Sequence, residues 1–345
     1  GDGRIRVHAR NADGEFRGGV SVFVGGSPFG LFAADFDQDL DLDLAWIDVE
    51  TGAVGVLLFS AGNPPDYIVL RQPGSDEPTG VVLADVDGDG WKDLLAAHGG
   101  ADEVVTYPNL LGDLGPGSPE PAGDRPDRLV LLEHEGGPTL ALRHSGRLSR
   151  NLRLTNLSDG STWSAEWPSG GEIFAADVDG DGQDEFLLAD ELAGEMSVRR
   201  HDAGAWIEEL RFEIDGEISG VDVAEVAPGT RRLAIASVQR RRVALYSISP
   251  GAIVRESNWY SGGRSGELLY ADVDGDAAPD VVLAQGPLQR LQIFPPFGEG
   301  LFAPEAPTAP IESRALVEGI GDGGQRLYAI PGSAEGQLAV YRVQG

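Results

Sequence analysis

The segment LADVDGDGWKDLLAA, residues 83–97, decides how the chain folds. An apolar run leads into a turn in which aspartates alternate with other residues, and a second apolar run follows. This pattern predicts a β-hairpin, because aliphatic runs bounded by Gly and Asp favour strands joined by a tight turn. Close copies are AADVDGDGQDEFLLA at 175–189, YADVDGDAAPDVVLA at 270–284 and AADFDQDLDLDLAWI at 33–47.

Three weaker copies, starting at Leu131, Gly220 and Leu316, keep the apolar flanks but lose most of the acids. The first acidic positions of all seven copies lie 44 to 50 residues apart, at Asp35, Asp85, Glu133, Asp177, Asp222, Asp272 and Glu318. One four-stranded propeller blade has about this length. The sequence therefore predicts an all-β fold in a single domain, residues 1–345: a seven-bladed β-propeller of four-stranded antiparallel blades.

The chain ends predict how the ring closes. The last strand-like run, Gln337–Val343, leaves the final blade without its outer strand, and two β-rich runs precede the first acidic loop. We expect the N-terminal strands to complete the last blade, because closure removes exposed strand edges. One N-terminal strand is then surplus, so a fragment of an eight-bladed propeller stays open as an alternative.

The acidic loops predict calcium sites. The clearest copies read D-x-D-x-D-G-x-x-D, with side-chain ligands at positions 1, 3, 5 and 9 and a carbonyl at position 7. Oxygen ligands without nearby His or Cys favour Ca²⁺ over zinc or copper, and a cation offsets the repulsion among clustered carboxylates. Three to four ions are expected. The ligand sets are Asp85, Asp87, Asp89, Asp93 and the Trp91 carbonyl; Asp177, Asp179, Asp181, Glu185 and the Gln183 carbonyl; Asp272, Asp274, Asp276, Asp280 and the Ala278 carbonyl; and Asp35, Asp37, Asp39, Asp43 and the Asp41 carbonyl.

Two of these loops lack the glycine that eases the bend at position 6, and the weaker copies lack most acids. Leu40 and Ala277 replace the glycine, and leucine disfavours positive φ. At position 9, two weaker copies carry Arg232 and Arg326. We expect these arginines to pair with Asp222 and Glu318 in place of an ion, and no metal is expected in the three weaker loops.

The repeated segment resembles the FG-GAP/VCBS repeats of integrin α-subunit propellers and many bacterial surface proteins. Phe29-Gly30 and Phe297-Gly298 stand where such repeats often carry a Phe-Gly pair. The resemblance covers essentially the whole chain. It implies structural calcium ions that brace hairpins on one face of the propeller, and ligands that meet the opposite face or the central channel.

Composition excludes several classes of function. The formal charge of -30, from 26 basic and 56 acidic residues, disfavours nucleic acid and anionic lipid. The chain has no cysteine, which excludes disulfides, thiol catalysis and thiolate zinc sites. No apolar run reaches the ~18 residues of a membrane span. We expect a monomer that is secreted, periplasmic or on the cell surface, where calcium supplies the rigidity that disulfides otherwise give.

No recognised catalytic motif appears, and no catalytic or cofactor-binding residue is predicted. His134 and His144 flank one hairpin and could approach each other, and Trp163, Trp167, Trp206 and Trp259 could stack on sugars or fill gaps between blades. The function expected is a calcium-stabilised extracellular binding or adhesion module for a protein or glycan. The alternatives are a polysaccharide-active, lyase-like enzyme with its site at the central channel, and an architectural domain of a larger surface protein.

Two further expectations concern packing. Trp46, inside an apolar strand, is predicted to pack between blades. The proline-rich stretch 108–128 is predicted to be a long mobile surface loop.

Overall fold

The computed structural model describes a chain built from β-strands. The described residues are 4–10, 16–24, 26, 28–60, 66–71, 77–145, 151–166, 171–263, 265–271, 278–285, 290–294, 317–320, 326–331 and 337–343. Within these ranges every regular element is a strand. The same ranges contain no helix that is long and apolar enough to cross a membrane.

Six sheets are each made of strands that follow one another in the chain, and they form the six blades of the fold. The first blade contains β3 (Pro28–Ala34), β4 (Asp43–Asp48), β5 (Ala53–Leu58) and β6 (Asp66–Arg71). The second contains β7 (Pro78–Ala84), β8 (Asp93–His98), β9 (Glu103–Tyr107) and β10 (Ser118–Pro121). The third contains β11 (Pro126–Leu132), β12 (Thr139–His144), β13 (Asn151–Asn156) and β14 (Thr162–Glu166).

The remaining blades continue this order. The fourth contains β15 (Ile173–Ala176), β16 (Glu185–Asp190), β17 (Glu195–Asp202) and β18 (Ala205–Glu213). The fifth contains β19 (Ile218–Ala227), β20 (Thr230–Ser237), β21 (Arg242–Ser249) and β22 (Ala252–Tyr260). The sixth has three described strands, β23 (Leu268–Ala271), β24 (Asp280–Gln285) and β25 (Arg290–Phe294). The acidic loops connect the first two strands of their blades.

The prediction of seven four-stranded antiparallel blades is wrong. The sheet that joins the chain ends has five strands in the order β2-β1-β28-β27-β26, and β1 runs parallel to β28. Its strands are β1 (Arg4–Arg10), β2 (Phe16–Phe23), β26 (Val317–Ile320), β27 (Arg326–Pro331) and β28 (Gln337–Val343). No hairpin links β1 to β28, so no turn imposes the antiparallel direction that it would impose on consecutive strands. The surplus N-terminal strand is therefore held in a mixed sheet that differs from the six blades.

A glycine in the first strand of a blade lets the next blade come close. Gly80 and Gly220 both follow a register shift in β7 and β19. A Cβ at Gly80 would lie 3.2 Å from the amide nitrogen of Leu129 on the next blade, and one at Gly220 only 2.5 Å from that of Leu268. A side chain at Gly220 would therefore overlap the neighbouring backbone.

The hydroxyl just before each of these glycines ties the same two blades together. Thr79 donates to the Pro126 carbonyl oxygen at 2.8 Å, and Ser219 donates to the Gly266 carbonyl oxygen at 2.6 Å. Both bonds span 47 residues, which is the repeat of the sequence. The sequence repeat therefore corresponds to a repeated hydrogen bond between neighbouring blades.

Trp46 is fully buried, and its predicted packing between sheets is confirmed. It lies in a cluster that joins Leu44 and Leu57 of the first blade to Ile5 and Val22 of the mixed sheet. Room for the indole comes from Gly55 on the neighbouring strand, where an added Cβ would lie 2.7 Å from the ring.

The stretch 108–128 is structured, and its prediction as a long loop is wrong. β10 (Ser118–Pro121) pairs with β9 and completes the second blade, and β11 begins at Pro126. Asn109 bridges to Leu114, and both residues are buried. Edge strands tolerate proline because one side of the strand needs no ladder hydrogen bonds, so the prolines did not prevent pairing.

The chain groups into two compact units. One comprises Gly1–Leu131, Leu140–Glu166 and Val317–Gly345, and the other comprises Leu132–Thr139 and Trp167–Leu316. The acidic loops at 35–43 and 85–93 belong to the first unit, and the loop at 177–185 belongs to the second. That residues 1–345 fold as one domain stays a prediction.

Candidate metal centres

Three acidic turns share one pattern of hydrogen bonds. The carboxylate at position 1 accepts from the amide at position 6, at 3.2 Å in loop 35–43, 3.0 Å in loop 85–93 and 3.2 Å in loop 177–185. The carboxylates at positions 3 and 5 each accept from the amide two residues further on, at 2.8–3.2 Å. Such short-range Asp-to-backbone bonds are what make alternate aspartates fold into a tight turn.

Leu40 adopts the backbone conformation that glycine supplies in the other two loops. Its φ is +74°, beside +89° for Gly90 and +85° for Gly182. A left-handed conformation costs a residue with a side chain about 1–2 kcal/mol. Loop 35–43 therefore keeps the common turn but carries strain there that loops 85–93 and 177–185 avoid.

At position 9, Asp43 and Asp93 are buried and use both carboxylate oxygens to hold the backbone. Oδ2 accepts from the amide that follows position 1, at 2.8 Å and 3.1 Å respectively. Oδ1 accepts at 2.8 Å from an amide beyond the third strand of the blade, that of Phe59 or Asn109. Burial raises the pKa of Asp43 to about 7 and also raises that of Asp93, while these amides oppose the shift.

Glu185 occupies the same position in loop 177–185 and behaves differently. Its Oε2 accepts from the Val178 amide at 2.7 Å, but Oε1 is buried without a hydrogen-bond partner among the described residues, and the residue is 2% exposed. Burial raises its pKa to about 7, the Val178 amide opposes this, and the charges of Asp179 and Asp181 add to it. A buried carboxylate oxygen without a donor is costly, and a bound cation would remove that cost.

Each of the three loops brings together carboxylate oxygens that could hold a metal ion. The groups, whose oxygens lie within 4.8 Å of one another, are Asp35, Asp37 and Asp39; Asp85, Asp87 and Asp89; and Asp177, Asp179 and Glu185. The first two use positions 1, 3 and 5, and the third uses positions 1, 3 and 9. All ligands are hard oxygens, so the residues fit calcium.

Other predicted ligands are placed less completely. Asp272, Asp274 and Asp276 lie outside the described residues, whereas Asp280 is buried at the start of β24 and pairs with Ala271. Asp43, Asp93 and Asp181 stand outside the three groups of oxygens. Ligation by these residues stays a prediction, as does ligation by the carbonyls of Asp41, Trp91, Gln183 and Ala278.

The turn of the weaker copy in the third blade is hydrogen-bonded to loop 177–185. The Asp184 amide donates to the Glu133 carbonyl oxygen at 2.8 Å, and the Glu133 amide donates to Asp184 Oδ2 at 2.8 Å. The Glu135 amide donates to Gln183 Oε1 at 3.1 Å. A turn that has lost most of the acids of the motif thus positions the neighbouring acidic loop.

Arg231, from the weaker copy in the fifth blade, also contacts loop 177–185. Its Nη2 donates a hydrogen bond to the Asp177 carbonyl oxygen and lies 3.4 Å from Asp177 Oδ2. The sequence prediction favoured the next residue, Arg232, as a partner for Asp222.

That predicted pair does not form. Arg232 Nε lies 3.1 Å from a carboxylate oxygen of Glu256, and Asp222 accepts from the amides of Tyr270 at 2.6 Å and Val223 at 2.8 Å. Adjacent strand residues point to opposite faces, so a shift of one residue exchanges the partners. The corresponding side chains of Arg326 and Glu318 lie outside the described part of the chain.

A cleft of about 400 Å³ adjoins loop 177–185. Its walls include Glu185 and Asp181 from the loop, His134 and Glu135 from the third-blade turn, and His201 and Asp202 from β17. The rings of His134 and His201 lie 4.3 Å apart, and Trp206 packs against both. The partner of His134 is therefore His201, whereas His144 is buried elsewhere, with its ring nitrogens 3.0 and 2.7 Å from carbonyl oxygens of Asn151 and Ala122.

The imidazole of His134 is held in one tautomer. Its Nδ1 accepts from the Gly136 amide at 3.1 Å, which leaves the proton on Nε2 for the Thr139 hydroxyl at 2.8 Å. Burial lowers the pKa of His134, and the neighbouring His201 lowers it further.

Two tryptophans considered for sugar stacking have structural partners: Trp206 is buried, and Trp259 stacks on Phe294 at 5.1 Å.

Comparison with solved structures shows a β-propeller fold. A crystal structure of BBS1N in complex with ARL6DN is 12% identical, with a TM-score of 0.61 and 93% of each chain covered. The periplasmic gluconolactonase PpgL of Pseudomonas aeruginosa is 17% identical, with a TM-score of 0.60 and 86% of this chain and 90% of that chain covered.

A putative 6-phosphogluconolactonase from Bacteroides fragilis gives a TM-score of 0.58 at 13% identity, covering 84% of this chain and 85% of that chain. At these identities the likeness concerns the fold alone. No protein-family model matches the chain, FG-GAP models included, and no curated protein matches it. The chain is similar to β-propellers of diverse kinds.

Proposed function

We propose that this chain is a calcium-stabilised extracellular binding module that recognises a glycan in the cleft beside loop 177–185. The observation that carries the proposal is Glu185. Its buried Oε1 has no hydrogen-bond partner in the described part of the chain, and the residue contributes an oxygen to the group with Asp177 and Asp179. Calcium takes six to eight oxygen ligands. Three carboxylates therefore leave coordination positions for water, for main-chain carbonyls or for hydroxyls of a ligand.

The size and lining of the cleft favour a small polar ligand. Its volume of about 400 Å³ lies in the range of pockets for small molecules, which is about 300–1,000 Å³. Carboxylates of Asp181 and Asp202 can accept hydrogen bonds from sugar hydroxyls, and His201 offers ring nitrogens. A protein partner would instead need about 800 Å² of surface on each side.

Calcium binding is tested first. Isothermal titration of the metal-free chain with CaCl₂, with MgCl₂ as the comparison, should show calcium binding and a higher melting temperature in calcium than in EGTA. At 100 times the dissociation constant, each independent site adds about 2.7 kcal/mol to stability. An equal response to magnesium, or none to calcium, would contradict the metal assignment.

Glycan recognition is then tested on an array, with calcium and with EGTA. We expect binding that EGTA abolishes and that Glu185→Gln and His201→Ala both weaken. The matched control is the double variant Asp87→Asn, Asp89→Asn, which disables loop 85–93, none of whose residues is among those that line the cleft, and should leave glycan binding intact. An array without bound glycans, together with calcium binding, would point to a protein partner or to an architectural role.

A further inference from the structure

Arg231 covers loop 177–185, and in the described part of the chain no arginine takes the same place at loop 85–93. A Cβ at Gly180 would lie 3.0 Å from Arg231 Nη1, whereas a Cβ at Gly88, the same position in loop 85–93, would have no atom within 4 Å. In the described part of the chain, Asp85, Asp87 and Asp89 accept only from amides of their own loop. The two loops share these backbone hydrogen bonds, and they differ in the contact with Arg231 and at positions 8 and 9, where Asp184 and Glu185 stand in place of Lys92 and Asp93.

The guanidinium is held in place by more than Asp177. Arg231 lies in β20, where it is in register with Glu225 of β19. Its charge also acts on Asp222, whose pKa is raised chiefly by burial while backbone hydrogen bonds and Arg231 oppose that shift. Apart from its contact with Asp177, Arg231 therefore stands in an acidic environment within its own blade.

We infer that Arg231 competes with the metal ion for Asp177 and makes loop 177–185 a weaker calcium site than the same loop would be without the arginine. The inference rests on the proposed calcium binding. Without metal, the guanidinium neutralises Asp177 and stabilises the turn. With metal, the same charge repels the ion, so that the loop beside the cleft fills at a higher calcium concentration than it would without Arg231.

The expected change in calcium affinity follows from the distance between the Arg231 guanidinium and the ion. The 3.4 Å between Nη2 and Asp177 Oδ2, plus a calcium–oxygen bond of about 2.4 Å, places the charge at most roughly 6 Å from the ion. In a water-like dielectric, a unit charge at that distance from a divalent ion changes affinity by about tenfold.

The experiment measures calcium affinity and metal-free stability in the full chain. Variants are Arg231→Gln, the neighbouring control Arg232→Gln, Asp179→Asn, and the double variant Asp179→Asn, Arg231→Gln. Arg232 pairs with Glu256 instead of the loop, so it matches the loss of one charge in the same strand. Each is titrated with CaCl₂ by calorimetry and melted in EGTA.

We expect Arg231→Gln to tighten one class of sites about tenfold, Arg232→Gln to leave that class unchanged, and the double variant to show no gain. The melting temperature of Arg231→Gln in EGTA should fall below that of the wild type, because Asp177 loses its counter-charge. Unchanged or weaker binding in Arg231→Gln, or an equal gain in Arg232→Gln, would overturn the inference alone. Absence of calcium binding in the wild type would overturn the proposed function with it.

Discussion

Glu185 accepts a hydrogen bond from the Val178 amide with one carboxylate oxygen, and its other oxygen is buried with no donor among the residues that the structure describes. Asp93, at the same loop position, gives both oxygens to backbone amides. Both residues therefore brace the turn by accepting from a backbone amide. Of the two, only Glu185, whose side chain is one methylene longer, also offers an oxygen to the group that could hold the metal.

This difference predicts opposite effects of Glu185→Gln with and without calcium. In EGTA at pH 8 the amide removes the cost of a buried charge, so the melting temperature should equal or exceed that of the wild type. In calcium the variant loses a charged ligand, and affinity at loop 177–185 should fall by about tenfold or more. Melting curves and calorimetry of the same preparations check both signs. A parallel fall in both buffers would mean that Glu185 only supports packing.

Trp91 predicts an optical signal specific to loop 85–93. Its amide donates to Asp89 Oδ1 at 2.8 Å, which places the residue inside the turn. Terbium occupies calcium sites of hard oxygen ligands, and a nearby indole transfers excitation to it. Excitation of tryptophan should therefore give terbium emission that the double variant Asp87→Asn, Asp89→Asn and the variant Trp91→Phe reduce by a similar amount, while Trp163→Phe leaves most of the signal. The emission that remains is expected from loop 177–185, because Trp206 packs against two histidines of the adjoining cleft. Emission that the double variant does not lower would mean that loop 85–93 holds no ion.

The close approach at Gly220 predicts a graded loss of stability on substitution. A Cβ there would lie 2.5 Å from the Leu268 amide nitrogen, whereas at Gly80 the nearest atom, the Leu129 amide nitrogen, is 3.2 Å away. Overpacking costs typically about 1–3 kcal/mol, and we expect Gly220→Ala at the upper end and Gly80→Ala at the lower. Chemical denaturation in saturating calcium compares them. Equal losses would show that the backbone adjusts freely at both bulges.

The sequence predicted the strands and the acidic turns well, because both depend on local chemistry. Alternate aspartates fold their own turn through bonds that span two to five residues, so their spacing is a sufficient signal. Arg231 acts on Asp177 from 54 residues away, and no local pattern marks it over Arg232. The strand period does limit the choice, because side chains alternate along β20 and only one of two adjacent arginines lies on a given face.

The number of blades depended on contacts that the repeat does not encode. When each copy of the acidic motif is counted as one blade, the strands at the two chain ends are counted as a seventh blade of the same kind as the others. The pairing of β1 with β28 joins residues from opposite ends of the sequence, in the parallel sense. Nothing in either strand's own sequence specifies that direction. The sequence motif also did not distinguish the residues at position 9 of the acidic loops. Asp and Glu carry the same carboxylate and differ only in side-chain length, so a motif treats them as equivalent.

Asp222 predicts a dependence of stability on pH that is separate from calcium. Burial raises its pKa to about 6, while the amides of Tyr270 and Val223 and the charge of Arg231 oppose the shift. The unfolded chain has an aspartate pKa of about 4. Between these values the folded state binds more protons, so this residue's contribution to stability falls as pH rises from about 4 to 6 and stays low above that. The Asp222→Asn variant cannot lose a proton and should lack that fall.

The measurement is the urea midpoint of Asp222→Asn minus that of the wild type, from pH 4 to 8 in EGTA. The difference should grow in favour of asparagine as pH rises to about 6 and then level off, because the wild type pays for a buried charge that the variant does not carry. Loss of one accepted hydrogen bond shifts the whole curve by a constant and leaves its slope unaffected. A flat difference would mean that Asp222 is ionised in the folded protein throughout this range, with Arg231 and the two amides outweighing its burial.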